Sequence, residues 1–130
     1  MVRLDIRKDM QMEPENPKIE WLMKSGKNYL KFTFKGSLSK EMASVAIKKW
    51  RDAFHLKAEE KITLVWDCLE MEGYDTESRK SWQNALKEMK DQIETIWLIT
   101  TSNVIKMGAS IMGAFSTLKI RTVSTESEIR

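Results

Sequence analysis

The sequence predicts an α/β domain built on a single mixed β-sheet with three main helices, in the order β-β-α-β-α-β-α-β. Three observations carry this prediction. Two alternating apolar segments, around Trp21 and Phe32, flank a polar turn that contains glycine. Two short apolar runs, "ITLVW" and "TIWLIT", have the composition of strands buried on both faces. The stretches that follow the turns carry apolar residues every three or four positions, the helical period.

Residues 1–17, "MVRLDIRKDMQMEPENP", hold both prolines and are mostly polar, so they read as an arm before a domain spanning residues 18–130. Ile19, Trp21 and Met23 alternate with polar residues. "KSGKN" then supplies a turn, and Leu30, Phe32 and Phe34 alternate with Lys31, Thr33 and Lys35, which makes a hairpin with one buried face. Gly36 is expected to end it. Ser37 or Ser39 can cap a first helix along which Met42, Val45, Ala46, Trp50 and Phe54 recur at spacings of three and four. Ile62 to Trp66 follows as a central strand, and "DCLEMEGYDTES" is read as an acidic loop into the second helix. That helix is lined by Trp82, Ala85, Leu86, Met89 and Ile93. Thr95 to Thr100 repeats the buried-strand pattern, and alternating strands and helices imply parallel neighbours with right-handed crossovers. Ser102 or Asn103 opens a third helix running to about Leu118, and Lys119 to Ser124 supplies the last strand.

Composition narrows the function classes. One hundred and thirty residues with 42% apolar content fit one domain with a real core. Lone Cys68 excludes an internal disulfide, and together with lone His55 it leaves a zinc site or a Cys/His catalytic pair without partners. The longest apolar run, Met107 to Phe115, is too short to span a bilayer, and no signal segment opens the chain, so a cytoplasmic location without membrane insertion is expected. No "GxxxxGK[ST]" or "GxGxxG" is present. Residues 18–57 hold ten Lys/Arg against three acids, and residues 58–95 hold five against ten. The first block alternates its lysines with aromatics along a strand, as a solvated sheet face does, and no nucleic-acid motif accompanies it. Neither catalysis, a metal nor a cofactor is expected.

Ligands of open α/β sheets sit at the carboxyl ends of the parallel strands. Here that end collects Asp67, Asp75, Thr76, Glu77 and Ser78 after the first buried strand, and Thr100 to Asn103, including Ser102, after the second. Asp75 or Thr76 can accept from the first-turn N–H groups, and Glu77 suits the helix dipole, which accounts for these residues as a cap. A hydroxyl exposed at a helix start can also be phosphorylated, which adds a charge of about −1.5 to −2. Clustered Asp67, Glu70, Glu72 and Asp75 offer oxygen ligands to a hard cation, but their spacing matches no metal loop. The third helix has Lys106 as its only charge and is either wholly buried or shows an apolar face. In the second case Met107, Ile111, Met112 and Phe115 would meet a partner, a lipid or another apolar ligand.

The segments "LVWDCLEMEGYDTES" and "IWLITTSNVIKMGASIMGAF", set in this element order, resemble the STAS domain, the fold of anti-sigma-factor antagonists, over roughly residues 18–125. The resemblance implies a non-enzymatic regulatory module, a monomer or weak homodimer, which binds a kinase or other signalling protein through the loop and N-terminus of the second helix. The family region looks like D-S-[S/T]-G with the second hydroxyl phosphorylated. Laid on Asp75, it puts Thr76 at the first hydroxyl, Glu77 at the acceptor and Ser78 at the glycine. Three alternatives follow: Thr76 or Ser78 has taken over, Glu77 imitates the phosphorylated form, or the switch is absent. The chain is also similar to STAS/SEC14-type single-domain proteins, which the apolar third helix suits.

Overall fold

The computed structural model describes residues 15–129, apart from the side chain of Phe115. Most of the expected arm, residues 1–14, therefore lies outside the described residues. Strands β1 (Lys18–Lys24) and β2 (Lys27–Leu38) form the expected hairpin with Lys24 opposite Lys27. Its two-residue turn has Ser25 at φ 52° and Gly26 at φ 79°, the type I′ geometry that matches strand twist. Helix α1 (Lys40–Leu56) follows, with Ser39 as the cap: its Oγ accepts from the Met42 N–H at 3.2 Å. Then come β3 (Ile62–Tyr74), α2 (Thr76–Met89), a short 3-10 turn (Lys90–Gln92), β4 (Ile93–Ile99), α3 (Asn103–Ser116) and β5 (Ile120–Val123).

The sheet order is β1-β2-β3-β4-β5, with the hairpin antiparallel and all later pairs parallel. Each crossover steps one strand further in the same direction, so right-handed connections lay all three helices on one face. The main core agrees: Ala46, Trp50 and Phe54 of α1, Trp82 and Leu86 of α2, and Ile105 and Met112 of α3 pack with Phe32, Leu64, Trp66, Ile96 and Leu98. Phe32, Phe34, Trp50, Trp66 and Trp82 form one aromatic group at its centre. Trp50 stacks on Trp82 with centroids 5.9 Å apart and meets Phe32 edge-on at 5.4 Å. The indole N–H groups of Trp50, Trp66 and Trp82 are buried without a hydrogen-bond partner, and edge-to-face packing offers ring faces as weak acceptors.

With the helices all on one side, burial of β3 on both faces needs another cover. A segment after β5, with a 3-10 turn at Glu126–Glu128, crosses the opposite face and buries Ile129 against Tyr29, Val65 and Ile99. Lys31 Nζ reaches Glu126 Oε1 at 2.6 Å, and Lys24 Nζ donates to the Ile129 carbonyl at 3.1 Å. Burial pulls the Lys31 ammonium down, but the hydrogen bond and charge of Glu126, helped by Asp67, outweigh it and leave its pKa raised. Trp97 on this face is only half-buried and lies 5.6 Å from the Arg121 guanidinium.

Several element boundaries differ from the sequence expectation, and Ile93, expected on the second helix, opens β4 instead. β2 does not end at Gly36 but runs to Leu38, and the acidic stretch after Trp66 is strand rather than loop. Both continue because they pair with each other. Register shifts set Asp67 to Glu70 against Thr33 to Lys35, and Met71 to Gly73 against Gly36 to Ser37, so β3 bulges twice and Gly36 takes a φ of 64°. Helix α3 ends at Ser116 rather than near Leu118, with Thr117 left-handed at φ 60° and the Leu118 N–H donating to the Gly113 carbonyl.

Candidate functional site

At the start of α2, Asp75 is the cap, and its Oδ1 accepts from the Ser78 N–H at 2.6 Å. Thr76 is the first helical residue and is exposed; so is Glu77, whose carboxylate lies 4.0 Å from Lys80. Ser78 is different: it is 0% exposed and its Oγ has no hydrogen-bond partner. Of the two hydroxyls offered for phosphorylation, Thr76 is thus exposed and Ser78 is not, because the helix turns position 78 inward, one turn before Trp82. At α3, Ser102 is the cap, accepting from the Ile105 N–H at 3.2 Å and donating its own N–H to Thr100 Oγ1 at 3.1 Å; Asn103 is exposed.

Asp67 does not join this group. It alternates with buried Trp66 and Cys68, points to the helix-free face, and lies 3.8 Å from Lys31. Its Oδ1 also accepts from the Leu69 N–H at 3.2 Å, closing the first bulge. Because β3 runs on to Tyr74, Asp67 is separated from the start of α2 by a strand extension rather than by a loop that could fold back. Among the described residues no three His, Cys, Asp or Glu side chains stand together as a metal site.

Between α2, α3 and the sheet lies a partly open apolar cleft with a cavity of about 40 Å³. Its walls include Trp66, Cys68, Met71 and Tyr74 of β3, Arg79 and Trp82 of α2, and Ile105, Gly108, Ala109 and Met112 of α3. A Cβ on Gly108 would overlap Tyr74 Oη, so glycine is what lets the tyrosine lie against the helix. Of the expected apolar-ligand residues, Met112 lines this cleft, whereas Met107 and Ile111 lie on the outer side of α3; the Phe115 side chain lies outside the described set. That outer side is apolar: Val104 is 74% exposed, Met107 66% and Ile111 40%. Helical residues are ~100° apart, so Gly108 falls between the Val104/Ile111 stripe and the Ile105/Met112 wall. Tyr74 covers the helix there, between the outer stripe and the cleft. Tyr74, Arg79 and Trp82 escaped the sequence reading of the site; the small pair Gly108–Ala109 was the signal that something packs closely there.

Cys68 in the cleft wall has its thiol pushed up to about 12, first by burial and then by the Asp67 charge. It is therefore protonated at neutral pH and inert as a nucleophile. A chromogenic disulfide reagent is expected to leave Cys68 unmodified in the native protein and to titrate it fully in denaturant; rapid native labelling would contradict this assignment.

No protein-family model and no curated protein sequence matches the chain. The crystal structure of an uncharacterized protein of the DUF3478 family from Shewanella loihica PV-4, described as having a SpoIIAA-like fold, does match, with a TM-score of 0.73. The chain adopts a SpoIIAA-like fold. Sequence identity is 12%, and the match covers 89% of this chain and 92% of the other. The SpoIIAA-like fold is the one that the resemblance to STAS domains implied, with the five-stranded mixed sheet and three helices described above. None of the helices among the described residues is long and apolar enough to cross a membrane.

Proposed function

We propose that this SpoIIAA-like domain is a non-enzymatic regulatory module that binds a protein partner on the surface formed by the start of α2 and the outer side of α3. The observation that carries the reading is the Val104, Met107 and Ile111 stripe. Three large apolar side chains left in water on one helix face, beside a cleft and without a charge among them, are the composition of an interaction surface. Thr76, Glu77 and Asn103 supply exposed polar groups at the two helix starts. Phosphorylation, if it regulates the site, fits Thr76 far better than Ser78. The Thr76 hydroxyl is in solvent, where added charge meets the positive end of the helix dipole, whereas Ser78 must first leave the core.

The cleft gives less support to a lipid carrier. About 40 Å³ holds roughly three water-sized groups, so an acyl chain would enter only if α2 and α3 parted.

The test is affinity capture from the native host with wild type, Thr76→Ala, Glu77→Lys and the double variant Met107→Lys/Ile111→Lys. All the substituted side chains are solvent-exposed, so each variant is expected to fold. Asp75→Ala, which removes the cap, costs about 0.5–2 kcal/mol and controls for lost stability. Loss of a discrete partner from the double variant, with a smaller change at Glu77→Lys, is the expected result. The same proteins captured by all four would overturn the reading.

A further inference from the structure

We infer that the free edge of β5 accepts an extended acidic segment of a partner protein as a sixth strand, with small apolar side chains beside α3 and carboxylates facing Lys119 and Arg121. This edge is separate from the Val104, Met107 and Ile111 stripe, and neither surface depends on the other. β5 is last in the sheet and pairs only with β4 among the described residues. The Val123 carbonyl accepts from the Thr100 N–H at 3.0 Å. Polar backbone groups alternate in direction along a strand, so those of Arg121 and Val123 serve β4, and those of Ile120 and Thr122 point to the open side. Ser124 continues the alternation, and its outward N–H donates to a carboxylate, Glu128 Oε1, at 3.2 Å. The edge thus already takes an acid from its own chain, one step beyond the groups left open.

Along that open side runs a groove of about 380 Å³, lined by Ser110, Gly113, Ala114 and Thr117 of α3 and its C-terminal cap and by Ile120 and Thr122 of β5. Ser110, Ala114, Thr117 and Thr122 are exposed, so the groove opens to solvent. Because the helix presents only small side chains there, an added strand has room to lie beside β5 without moving α3.

From Thr95 to Thr125 the chain carries Lys106, Lys119 and Arg121 and no acid. Lys119 and Arg121 are exposed on the helix-free side of β5, and among the described residues neither is in an ion pair; Arg121 lies against the Trp97 ring. Glu94 and Glu128, which line the same side, leave both cations unpaired. Cations on a short edge strand repel a second copy, which brings the same charges again, and attract a strand that carries carboxylates. Successive side chains of a strand alternate between faces. The segment that fits therefore has a small apolar residue toward α3 at every second position, with Asp or Glu between.

The experiment titrates a capped eight-residue peptide of alternating valine and glutamate into the isotope-labelled full chain. A peptide with lysine in place of glutamate and a fully N-methylated form, which has no N–H to pair, run alongside. The acidic peptide is expected to shift the Ile120 and Thr122 amide signals and slow their hydrogen exchange, with both controls at least about tenfold weaker. Lys119→Glu/Arg121→Glu should exchange the preference, binding the lysine peptide and losing the glutamate one. Thr122→Pro removes an outward N–H while sparing the ladder to β4, and should weaken the acidic peptide about tenfold. The charge-reversed variant changes only exposed side chains and keeps the test valid if Thr122→Pro disturbs the strand.

Unchanged Ile120 and Thr122 signals at about 1 mM peptide, or equal binding of either control, overturn the assignment. Shifts confined to Met107 and Ile111 overturn it too, and leave the α3 stripe as the partner surface. Sedimentation of the chain alone supplies the last outcome: a dimer that Thr122→Pro dissociates gives this edge to a second copy instead.

Discussion

Leu64→Asp is expected to abolish cooperative folding. Leu64 is 0% exposed at the centre of the sheet, opposite Leu30 on one side and Ile96 on the other, and away from the cleft and its opening. A carboxylate there has neither water nor a cation to meet, and an unpaired buried charge costs several kcal/mol even after relaxation. Protonation would lower that cost but still leave a buried polar group without a partner. Set against ordinary stabilities of about 5–15 kcal/mol, the variant should lack a sharp thermal transition and native near-ultraviolet dichroism. A soluble Leu64→Asp protein that melts cooperatively near the wild-type temperature would refute the placement of β3 at the centre.

Trp50→Ala is the second large effect. The Trp50 ring is fully buried on α1 and touches Phe32, Phe54, Trp66 and Trp82, with centroid separations from 5.4 to 6.5 Å. Its removal leaves a hole between a helix and a sheet that cannot close without moving four aromatic neighbours, so the cost belongs at about 3–5 kcal/mol. The unpartnered indole N–H goes with the ring, which offsets part of the loss, since that group was taken from water without a full hydrogen bond. Chemical denaturation should show a lower midpoint with an unchanged slope. A loss under about 1 kcal/mol would mean that the aromatic group is not the packing centre it is taken to be.

The element order was legible because its signals are local. The Ser25–Gly26 turn, the three-and-four spacing of α1 and α2, and the apolar runs of β3 and β4 each declare themselves within a dozen residues. The β3 extension was not, because what makes Cys68 to Tyr74 a strand is the partner lent by β2 beyond Gly36. Two bulges also disrupt the period-two alternation that would otherwise reveal it. The misplacement of Asp67 follows from the same cause: on a strand its direction is fixed by parity with Trp66, whereas a loop left it free to join Asp75. Ser78 was judged by its neighbours Thr76 and Glu77, but the register of α2 groups it with Trp82. The cleft depends on five separate elements, and among its walls only Met112 had been named as an apolar-ligand residue. The outer α3 stripe was legible in part, since a helix with one charge is either wholly buried or shows an apolar face.

The sequential strand order bears on how the chain assembles. Every strand after the first pairs with the one made just before it, so no finished pair has to reopen to admit a later strand. The hairpin can form alone at low loop-closure cost, and each subsequent helix–strand unit can add to an existing edge as it leaves the ribosome. The segment ending at Ile129 is the exception. It covers Tyr29, Val65 and Ile99, which come from three strands spread across the sheet, and it is synthesised after all of them. Until it arrives, an assembled sheet carries a sticky, uncapped face, so truncation before residue 126 should expose growing chains to aggregation or chaperone capture without altering the order in which the strands pair.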